Sequence, residues 1–192
     1  MQDITTSRSP SPSRSPVATT TEAGPGKVEV IEFFWYSCPH CNAFEPQFRQ
    51  WIERQSKDVV IKRVPVRFRE DFEPQQRMYY ALEALGKLEP LHGRLFQAIH
   101  VERLPLSGAE QLARWAEKNG IVANDFNQAY NSFGVVAKTK RATQLQQAFK
   151  VQGVPALGVA GRYYTDGSLS GNMSRALQLV DWLVAQERTR KK

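Results

Sequence analysis

Apolar positions are sparse at the N-terminus of the chain and dense from Lys27 onward. Residues 1–26 are rich in Ser, Thr, Pro and Arg and offer little apolar surface beyond Ile4 and Val17. Such a segment cannot bury enough apolar surface to offset the chain entropy that folding removes. We therefore predict a flexible N-terminal arm over residues 1–26, without a convincing edge strand.

A strand, a helix and a second strand are predicted directly after this arm. Residues 28–35 form a β-prone apolar run dense enough for a buried central strand. Helical spacing begins after Cys38, and Pro39 suits the first helical turn. The apolar face of this helix comprises Cys41, Phe44, Phe48, Trp51 and Ile52. A second β-prone run covers residues 59–66, and the order β-α-β implies a parallel strand pair.

The pattern is helical almost throughout residues 73–150. Five helices are predicted, over residues 74–87, 90–101, 107–119, 124–132 and 135–149. Ser107, with Glu110 three residues later, predicts a capping box, and Gly120 predicts the end of the same helix. Two strands then return at 156–159 and 162–165, joined by a tight hairpin at Ala160-Gly161, before a closing helix over 173–186. The fold class is α/β, with a helical block that interrupts the sheet.

Composition fits one globular domain with an insertion. The chain has 192 residues, of which 41% are hydrophobic, and this is enough for a proper core. Nothing approaches the roughly 18 consecutive apolar residues of a membrane span, and no apolar signal-peptide core is seen. We expect a protein that is not embedded in a membrane. The opening Met1 and polar tract leave both a cytosolic protein and a mature N-terminus open.

The formal net charge of +7 raises the question of nucleic acid. The basic residues are spread along the chain, and acidic residues interrupt them, as in Arg69-Glu70-Asp71. No recognised nucleic-acid-binding motif is present. We interpret the charge as a solvated basic surface and expect no nucleic-acid partner.

Candidate chemistry is concentrated in two residues, Cys38 and Cys41, which are the only cysteines. Residues three apart in a first helical turn are neighbours, so the two sulfurs can form a disulfide. Cys38 would face unpaired backbone N–H groups and the positive end of the helix dipole, which favour a thiolate. Cys38 is therefore the predicted nucleophile, and Cys41, on the apolar face, is the predicted resolving thiol.

His40 lies between the cysteines and would stabilise the Cys38 thiolate further, so Pro39 and His40 are the candidate thiolate-tuning residues. Thiolate stabilisation favours the reduced protein, because the disulfide carries no such charge. The prediction is an oxidising disulfide, since about 30 mV corresponds to roughly 1.4 kcal/mol for this two-electron couple.

Three other uses of the cysteines fit the sequence less well. A zinc site would need His92 and His100 as further ligands, and their spacing does not match the usual pattern. Attachment of a c-type haem needs His directly after the second Cys, where Asn42 stands, so haem is excluded on this motif. A purely structural disulfide closing so short a loop would stabilise little. A redox role is favoured, with no metal and no organic cofactor.

Residues 32–41, Glu-Phe-Phe-Trp-Tyr-Ser-Cys-Pro-His-Cys, resemble the active-site segment of the DsbA family of bacterial dithiol oxidases. The Pro-His pair between the cysteines distinguishes that family from thioredoxins. Residues 152–157, Gln-Gly-Val-Pro-Ala-Leu, are similar to its cis-proline loop, and residues 130–133 resemble a segment of its helical domain. The resemblance extends from about residue 27 to the C-terminus.

The resemblance implies a thioredoxin fold made of residues 27–70 and 151–192, with an inserted helical domain over 71–150. It places Val154 and Pro155 in a cis-proline loop against the cysteines; an ordinary trans turn is the alternative. Glu32 would be a buried acid that shuttles protons to Cys41, with Lys62 as candidate partner or, equally, as an exposed lysine. Gly158 departs from the family, which usually has a larger apolar residue there.

By the same resemblance we expect a periplasmic thiol:disulfide oxidoreductase whose signal peptide has been removed. It would donate its Cys38–Cys41 disulfide to newly exported, unfolded or partly folded proteins with free cysteines, through a mixed disulfide at Cys38. A DsbB-like membrane protein would reoxidise it. A reductase or isomerase of the same fold, or a redox-independent peptide-binding module, are the alternatives.

Overall fold

The structure, a computed structural model, describes residues 13–14 and 21–190. Strand β1, Ser13–Arg14, pairs antiparallel with Tyr163 and Tyr164, so the expectation of an arm without an edge strand is wrong at these two residues. The rest of the predicted flexible arm up to residue 20 lies outside the described residues. Ala23, near its end, is buried.

The sheet is built from β1 and four further strands: β2 Val28–Phe34, β3 Val59–Pro65, β4 Ala156–Val159 and β5 Tyr163–Asp166. Their order is β1-β5-β4-β2-β3. The predicted parallel pairing of β2 with β3 is confirmed, and the other pairings are antiparallel. All seven residues of β2 are buried, as expected of a central strand.

Eight α-helices complete the described fold. They are α1 Pro39–Glu53, α2 Glu73–Ala84, α3 Leu88–His100, α4 Ala109–Lys118, α5 Ala123–Tyr130, α6 Phe133–Ala148, α7 Gly167–Ser170 and α8 Met173–Arg190. A 3₁₀ turn, Glu70–Phe72, precedes α2. The five predicted helices between β3 and β4 are all present, with ends within three residues of those predicted. The four-residue α7 was not predicted.

The capping box predicted at Ser107 is wrong. Gly108 is the N-cap residue of α4, which places Ser107 outside the helix, and Glu110 is exposed and paired with Arg114 instead. The side chain of Gln111 folds back over Gly108, into the space that a Cβ would occupy there. The helix therefore begins one residue later than a Ser107 cap would require.

Both predicted glycine turns are present. Gly120 has φ +85, and the Ile121 N–H donates to the Ala116 carbonyl, which is a Schellman ending for α4. Ala160 and Gly161 have φ +51 and +67, the left-handed pair that a tight hairpin between β4 and β5 requires.

Two apolar clusters form the core. The larger joins the sheet residues Phe33 and Phe34 to the helices between β3 and β4. The smaller packs α1 and α8 against the sheet, around Trp51 and Val180. Because the helical block shares a core with the sheet, the division at residues 70 and 150 stays a prediction. None of the described helices is both long enough and apolar enough to cross a membrane.

Candidate active site at the start of helix α1

Cys38 is the N-cap residue of α1. Its backbone is extended, with φ −80 and ψ 116, and Pro39 follows in the first helical turn. The Cys38 Sγ accepts the backbone N–H of Cys41 at 3.2 Å, in the position where a cap oxygen normally sits. The sulfur thus occupies the site of highest positive potential on the helix.

This position lowers the pKa of the Cys38 thiol to about 6. The largest cause is a hydrogen bond from the Cys41 thiol, which outweighs the opposing effect of burial. Backbone N–H groups of Cys41 and His40, and the charge of His40, add to the shift. Near neutral pH the sulfur of Cys38 is therefore largely a thiolate, the reactive form of cysteine.

Cys41 has the opposite environment. Its side chain is fully buried, and burial raises the pKa of its thiol, with the neighbouring Cys38 as the next cause. Both cysteines are free thiols in this structure. The pair therefore consists of one acidic sulfur and one sulfur that stays protonated until a base removes its proton.

The segment that includes Val154 and Pro155 lies against the cysteines. The Val154–Pro155 peptide bond is cis, and the Val154 carbonyl accepts the Cys38 S–H at 3.5 Å. His40 is exposed and, together with these two residues, lines a groove of about 450 Å³ that continues past Asp166 to Met173. The groove therefore runs along Val154, the residue whose backbone carbonyl contacts the Cys38 sulfur.

Glu32 lies in β2 and is 1% exposed. Burial raises its pKa to about 8, and the charge of Glu45 raises it further, although Arg63 opposes the shift. Glu32 therefore holds a proton at neutral pH and can exchange it within the physiological range.

Lys62 is not the partner of Glu32. Arg63 Nη1 lies 2.8 Å from Glu32 Oε2, whereas Lys62 Nζ lies 2.7 Å from Glu22 Oε2. The register explains the difference, because Arg63 is directly opposite Glu32 and Lys62 is opposite Ile31. Successive strand residues point to opposite faces, so only Arg63 reaches the buried acid.

Two residues that the sequence analysis missed complete this buried cluster. Glu45 of α1 receives hydrogen bonds from both terminal nitrogens of Arg63, at 2.5 and 3.0 Å. His92 of α3 contacts Arg63 Nη1 through Nε2 at 2.8 Å. Burial disfavours a charged Glu45, but the contact with His92 and the charge and hydrogen bonds of Arg63 outweigh it and lower the pKa of Glu45 to about 2. Arg63 and Glu45 thus form an ion pair beside a neutral Glu32.

The helical block also fixes the residues before Cys38. Gln75 of α2 accepts the Ser37 backbone N–H at 3.2 Å and donates to Ser37 Oγ at 2.7 Å. His100 Nε2 donates to the Tyr36 carbonyl at 2.7 Å. These hydrogen bonds from the helical block fix the two residues that precede Cys38, Tyr36 and Ser37.

Of the functional residues that sequence reasoning missed, Glu45 could have been recognised from the sequence. Glu45 lies four residues after Cys41 on the apolar face of α1, and an acid on a buried face needs a partner. His92 and Gln75 had no comparable signal, because their partners come from distant segments. In the described part of the chain, no three His, Cys, Asp or Glu side chains are grouped so as to hold a metal ion.

Comparison with known proteins identifies the family of this chain. The family model described as a DSBA-like thioredoxin domain matches residues 29–178. The thiol:disulfide interchange protein DsbA of Bordetella parapertussis is 42% identical over 165 residues, 85% of this chain and 78% of that protein. The DsbA of Burkholderia cepacia is 36% identical over 190 residues, 99% of this chain and 86% of that protein.

The crystal structure of Pseudomonas aeruginosa DsbA superimposes with a TM-score of 0.87 at 34% identity, covering 93% of each chain. The predicted thioredoxin fold with a helical insertion is thereby confirmed. The acidic Cys38, the buried Cys41 and the adjacent cis-proline segment occur in a chain that belongs to the DSBA-like thioredoxin domain family.

Proposed function

We propose that this protein is a dithiol oxidase, a thiol:disulfide oxidoreductase that transfers its Cys38–Cys41 disulfide to other proteins. The observation that carries the proposal is the contrast between the two sulfurs. Cys38 caps a helix and has a lowered pKa, whereas Cys41 is buried and has a raised one. A stabilised Cys38 thiolate makes the reduced protein the favoured product, which drives oxidation of the substrate.

The reaction proceeds in two exchanges. A substrate thiolate attacks the Cys38 sulfur; the Cys38–Cys41 bond breaks, and Cys41 leaves with the electron pair and takes up a proton. A second substrate thiolate then attacks the substrate sulfur of the mixed disulfide, and Cys38 leaves as a thiolate. The substrate loses two electrons and gains a disulfide, and the protein gains both electrons as a dithiol. The low pKa of Cys38 makes it a good leaving group.

Glu32 is the proton carrier for Cys41 in this proposal. A pKa of about 8 leaves its carboxyl able to give or take a proton near neutral pH, and it influences the Cys41 thiol electrostatically. When the protein is reoxidised, Cys41 must lose a proton to attack a mixed disulfide at Cys38. Glu32 is the buried group suited to accept that proton.

The groove beside His40, Val154 and Pro155 is the proposed seat of the substrate polypeptide. It is lined by Val154, whose carbonyl oxygen lies 3.5 Å from the Cys38 sulfur, so a polypeptide bound in it would lie close to that sulfur. We propose partly folded proteins with free cysteines as substrates, a DsbB-like membrane protein as reoxidant, and the periplasm as the compartment, since disulfides persist in oxidising compartments.

Trapping of the mixed disulfide tests the assignment of the two cysteines. Reduced Cys41→Ser protein, mixed with a one-cysteine peptide activated as an aromatic disulfide, should accumulate a peptide–Cys38 adduct, because no resolving thiol remains. Reduced Cys38→Ser protein should form almost none, and the wild type should release free peptide. A peptide adduct on Cys41 in the Cys38→Ser variant, or dithiol oxidation by that variant, would contradict the roles proposed for the two cysteines. Cys38→Ser protein that keeps the wild-type function without any adduct would favour a redox-independent binding module.

A further inference from the structure

His92 is a buried histidine to which nothing above assigns a function. It is 4% exposed and belongs to α3 of the helical block. Its ring packs edge-on against Phe34 and Phe96, each with centroids 5.3 Å away. A histidine in such surroundings could be replaced by an apolar ring at little packing cost, so its two nitrogens are its distinctive feature.

Both ring nitrogens have partners. Nε2 lies 2.8 Å from Arg63 Nη1, and Nδ1 lies 2.8 Å from the Tyr36 hydroxyl oxygen. A guanidinium nitrogen can only donate, so the first contact is a hydrogen bond only if Nε2 has a free lone pair. Nε2 also lies 3.5 Å from Glu45 Oε2, but a proton on Nε2 would oppose the donating Arg63 nitrogen, which is closer at 2.8 Å. The closer contact therefore selects the neutral tautomer, with the proton on Nδ1, donated to Tyr36. Burial lowers the pKa of His92, which agrees with a neutral ring.

Arg63 Nη1 has more acceptors than hydrogens. Glu32 Oε2 at 2.8 Å, Glu45 Oε2 at 2.5 Å and His92 Nε2 at 2.8 Å all surround it, and this nitrogen carries two hydrogens. Glu45 also holds Nη2 at 3.0 Å. An Arg63 N–H that donates to His92 is therefore not available to a carboxylate. Glu32 makes one contact with Arg63 whereas Glu45 makes two, so Glu32 is the more affected.

We propose that His92 is a positioning residue for Glu32: by accepting an N–H from Arg63 it limits how strongly Arg63 can stabilise the Glu32 carboxylate. The inference rests on the proposed role of Glu32 as proton carrier. It gives α3 a direct part in the redox reaction, because a contact made by the helical block sets the pH range in which Cys41 exchanges its proton.

The other groups around this cluster are fixed by the fold. Glu32 is influenced by Arg63 of β3, by Glu45 and Cys41 of α1, by Tyr79 of α2, and by Tyr36. Burial, Arg63 and Arg49 oppose protonation of His92, whereas Glu45, 3.5 Å from Nε2, favours it; burial is the largest of these effects. Among these, His92 is the neutral acceptor whose removal releases an Arg63 N–H and leaves every carboxylate in place.

His92→Phe is the direct test, because it keeps an aromatic ring and removes both nitrogens. NMR titration of the ¹³C-labelled Glu32 carboxyl should show its midpoint shifted downward by about one pH unit relative to wild type. The pH midpoint for attack of Cys41 on a Cys38–glutathione disulfide should fall with it. The Cys38 thiolate, titrated by its ultraviolet absorbance, should keep its wild-type midpoint. The groups that lower the Cys38 pKa, those of His40 and Cys41, all belong to α1.

His92→Gln is the matched control, because its amide can accept from Arg63 and donate to Tyr36, and it should restore the wild-type midpoint. In the wild type, ¹⁵N NMR should show His92 neutral with its proton on Nδ1 from pH 5 to pH 8, a result that needs no variant. An unchanged Glu32 midpoint in folded His92→Phe protein, or a proton on Nε2, would overturn the inference. Wild-type protein that fails to oxidise dithiols would instead overturn the proposed function.

Discussion

At the scale of single residues, the redox pair illustrates how position rather than residue type sets reactivity. Cys38 and Cys41 are three residues apart, yet the pKa of the Cys38 thiol is lowered and the pKa of the Cys41 thiol is raised. The contrast between their surroundings could be predicted from the sequence, because a first helical turn and an apolar face are local patterns. The sulfur of Cys38 replaces the usual cap oxygen, so the same hydrogen bond both starts the helix and stabilises the thiolate.

Replacement of His40 tests how much its positive charge lowers the pKa of Cys38. In His40→Leu protein the Cys38 pKa should rise, because the positive charge near the thiolate is lost while the backbone N–H groups stay in place. The rise should be less than about one unit, and the reduction potential should fall by about 30 mV or less. Ultraviolet titration of the thiolate and equilibration with glutathione measure the two effects. An unchanged Cys38 pKa would exclude His40 as a thiolate-tuning residue.

At the scale of secondary-structure elements, strand register decides which residues meet. Lys62 and Arg63 are adjacent and both basic, and the sequence alone gave no reason to prefer one as the partner of Glu32. The parallel register of β2 and β3 places Arg63 opposite Glu32. Register could not be predicted here, because β2 is buried on both faces and lacks the polar alternation that fixes a strand's orientation.

Paired substitutions of these neighbours should separate a buried ion pair from an exposed one. Arg63→Met should lower the free energy of unfolding by about 3–5 kcal/mol, since it leaves the buried Glu45 carboxylate without its counterion and Glu32 without its hydrogen-bond donor. Lys62→Met should cost less than about 1 kcal/mol, because the Lys62–Glu22 pair is solvated. Urea denaturation of both variants against wild type measures the difference. Equal losses would mean that the assignment of partners is wrong.

Packing between β4 and the end of α6 explains the departure from the family at Gly158. A Cβ on Gly158 would lie 2.8 Å from Cε1 of Phe149, whose ring is buried against Phe33. The small residue in the strand is thus compensated by a large one after the helix. The glycine is visible in the sequence, but its partner Phe149 is brought to it only by the tertiary fold.

Gly158→Ala should therefore destabilise the protein by about 1–3 kcal/mol through overpacking. Gly158→Ala combined with Phe149→Leu should recover part of the loss, because the smaller side chain makes room. Gly134→Ala in α6 is the control: its Cβ would meet only Ser132 Oγ at 4.0 Å, so stability should be unchanged or slightly higher. Thermal unfolding compares the set, and a neutral Gly158→Ala would refute the packing explanation.

At the scale of the whole molecule, the sequence predicted the α/β class, the order of the main elements and the redox motif. The fold class followed from apolar periodicity, and the family from two motifs about 115 residues apart in the chain. What could not be predicted was how the helical block reaches the redox site. Its contacts, from Gln75, His92 and His100, join segments that only tertiary packing brings together.

The lowered Cys38 pKa also makes the stability of the whole protein depend on pH. In the reduced protein the folded state releases the Cys38 proton at about pH 6, whereas an unfolded thiol does so at about pH 8.5. Between these values the unfolded state binds more protons at Cys38, so the reduced form should gain stability relative to the oxidised form as the pH rises, by about 1 kcal/mol at pH 7. The opposing contribution of Glu32 is common to both forms. Above about pH 8.5 the raised pKa of Cys41 opposes any further gain.

Urea unfolding of reduced and oxidised protein from pH 5 to pH 8 measures this linkage. The reduced form should gain on the oxidised form as the pH rises and lose that gain as the pH falls through 6. Cys38→Ser protein, which has no thiolate at this position, should lack the contribution of Cys38 to the pH dependence of the free energy of unfolding. A difference between the two forms that is constant over this range would contradict the stabilised thiolate.

The reduction potential of the Cys38–Cys41 pair, measured by equilibration with glutathione buffers, decides between an oxidase and a reductase. The thiolate stabilisation described here predicts a potential well above the roughly −270 mV of thioredoxin, together with a reduced form that is more stable than the oxidised form at pH 7. A thioredoxin-like potential with a more stable oxidised form would contradict this account and make the protein a reductase.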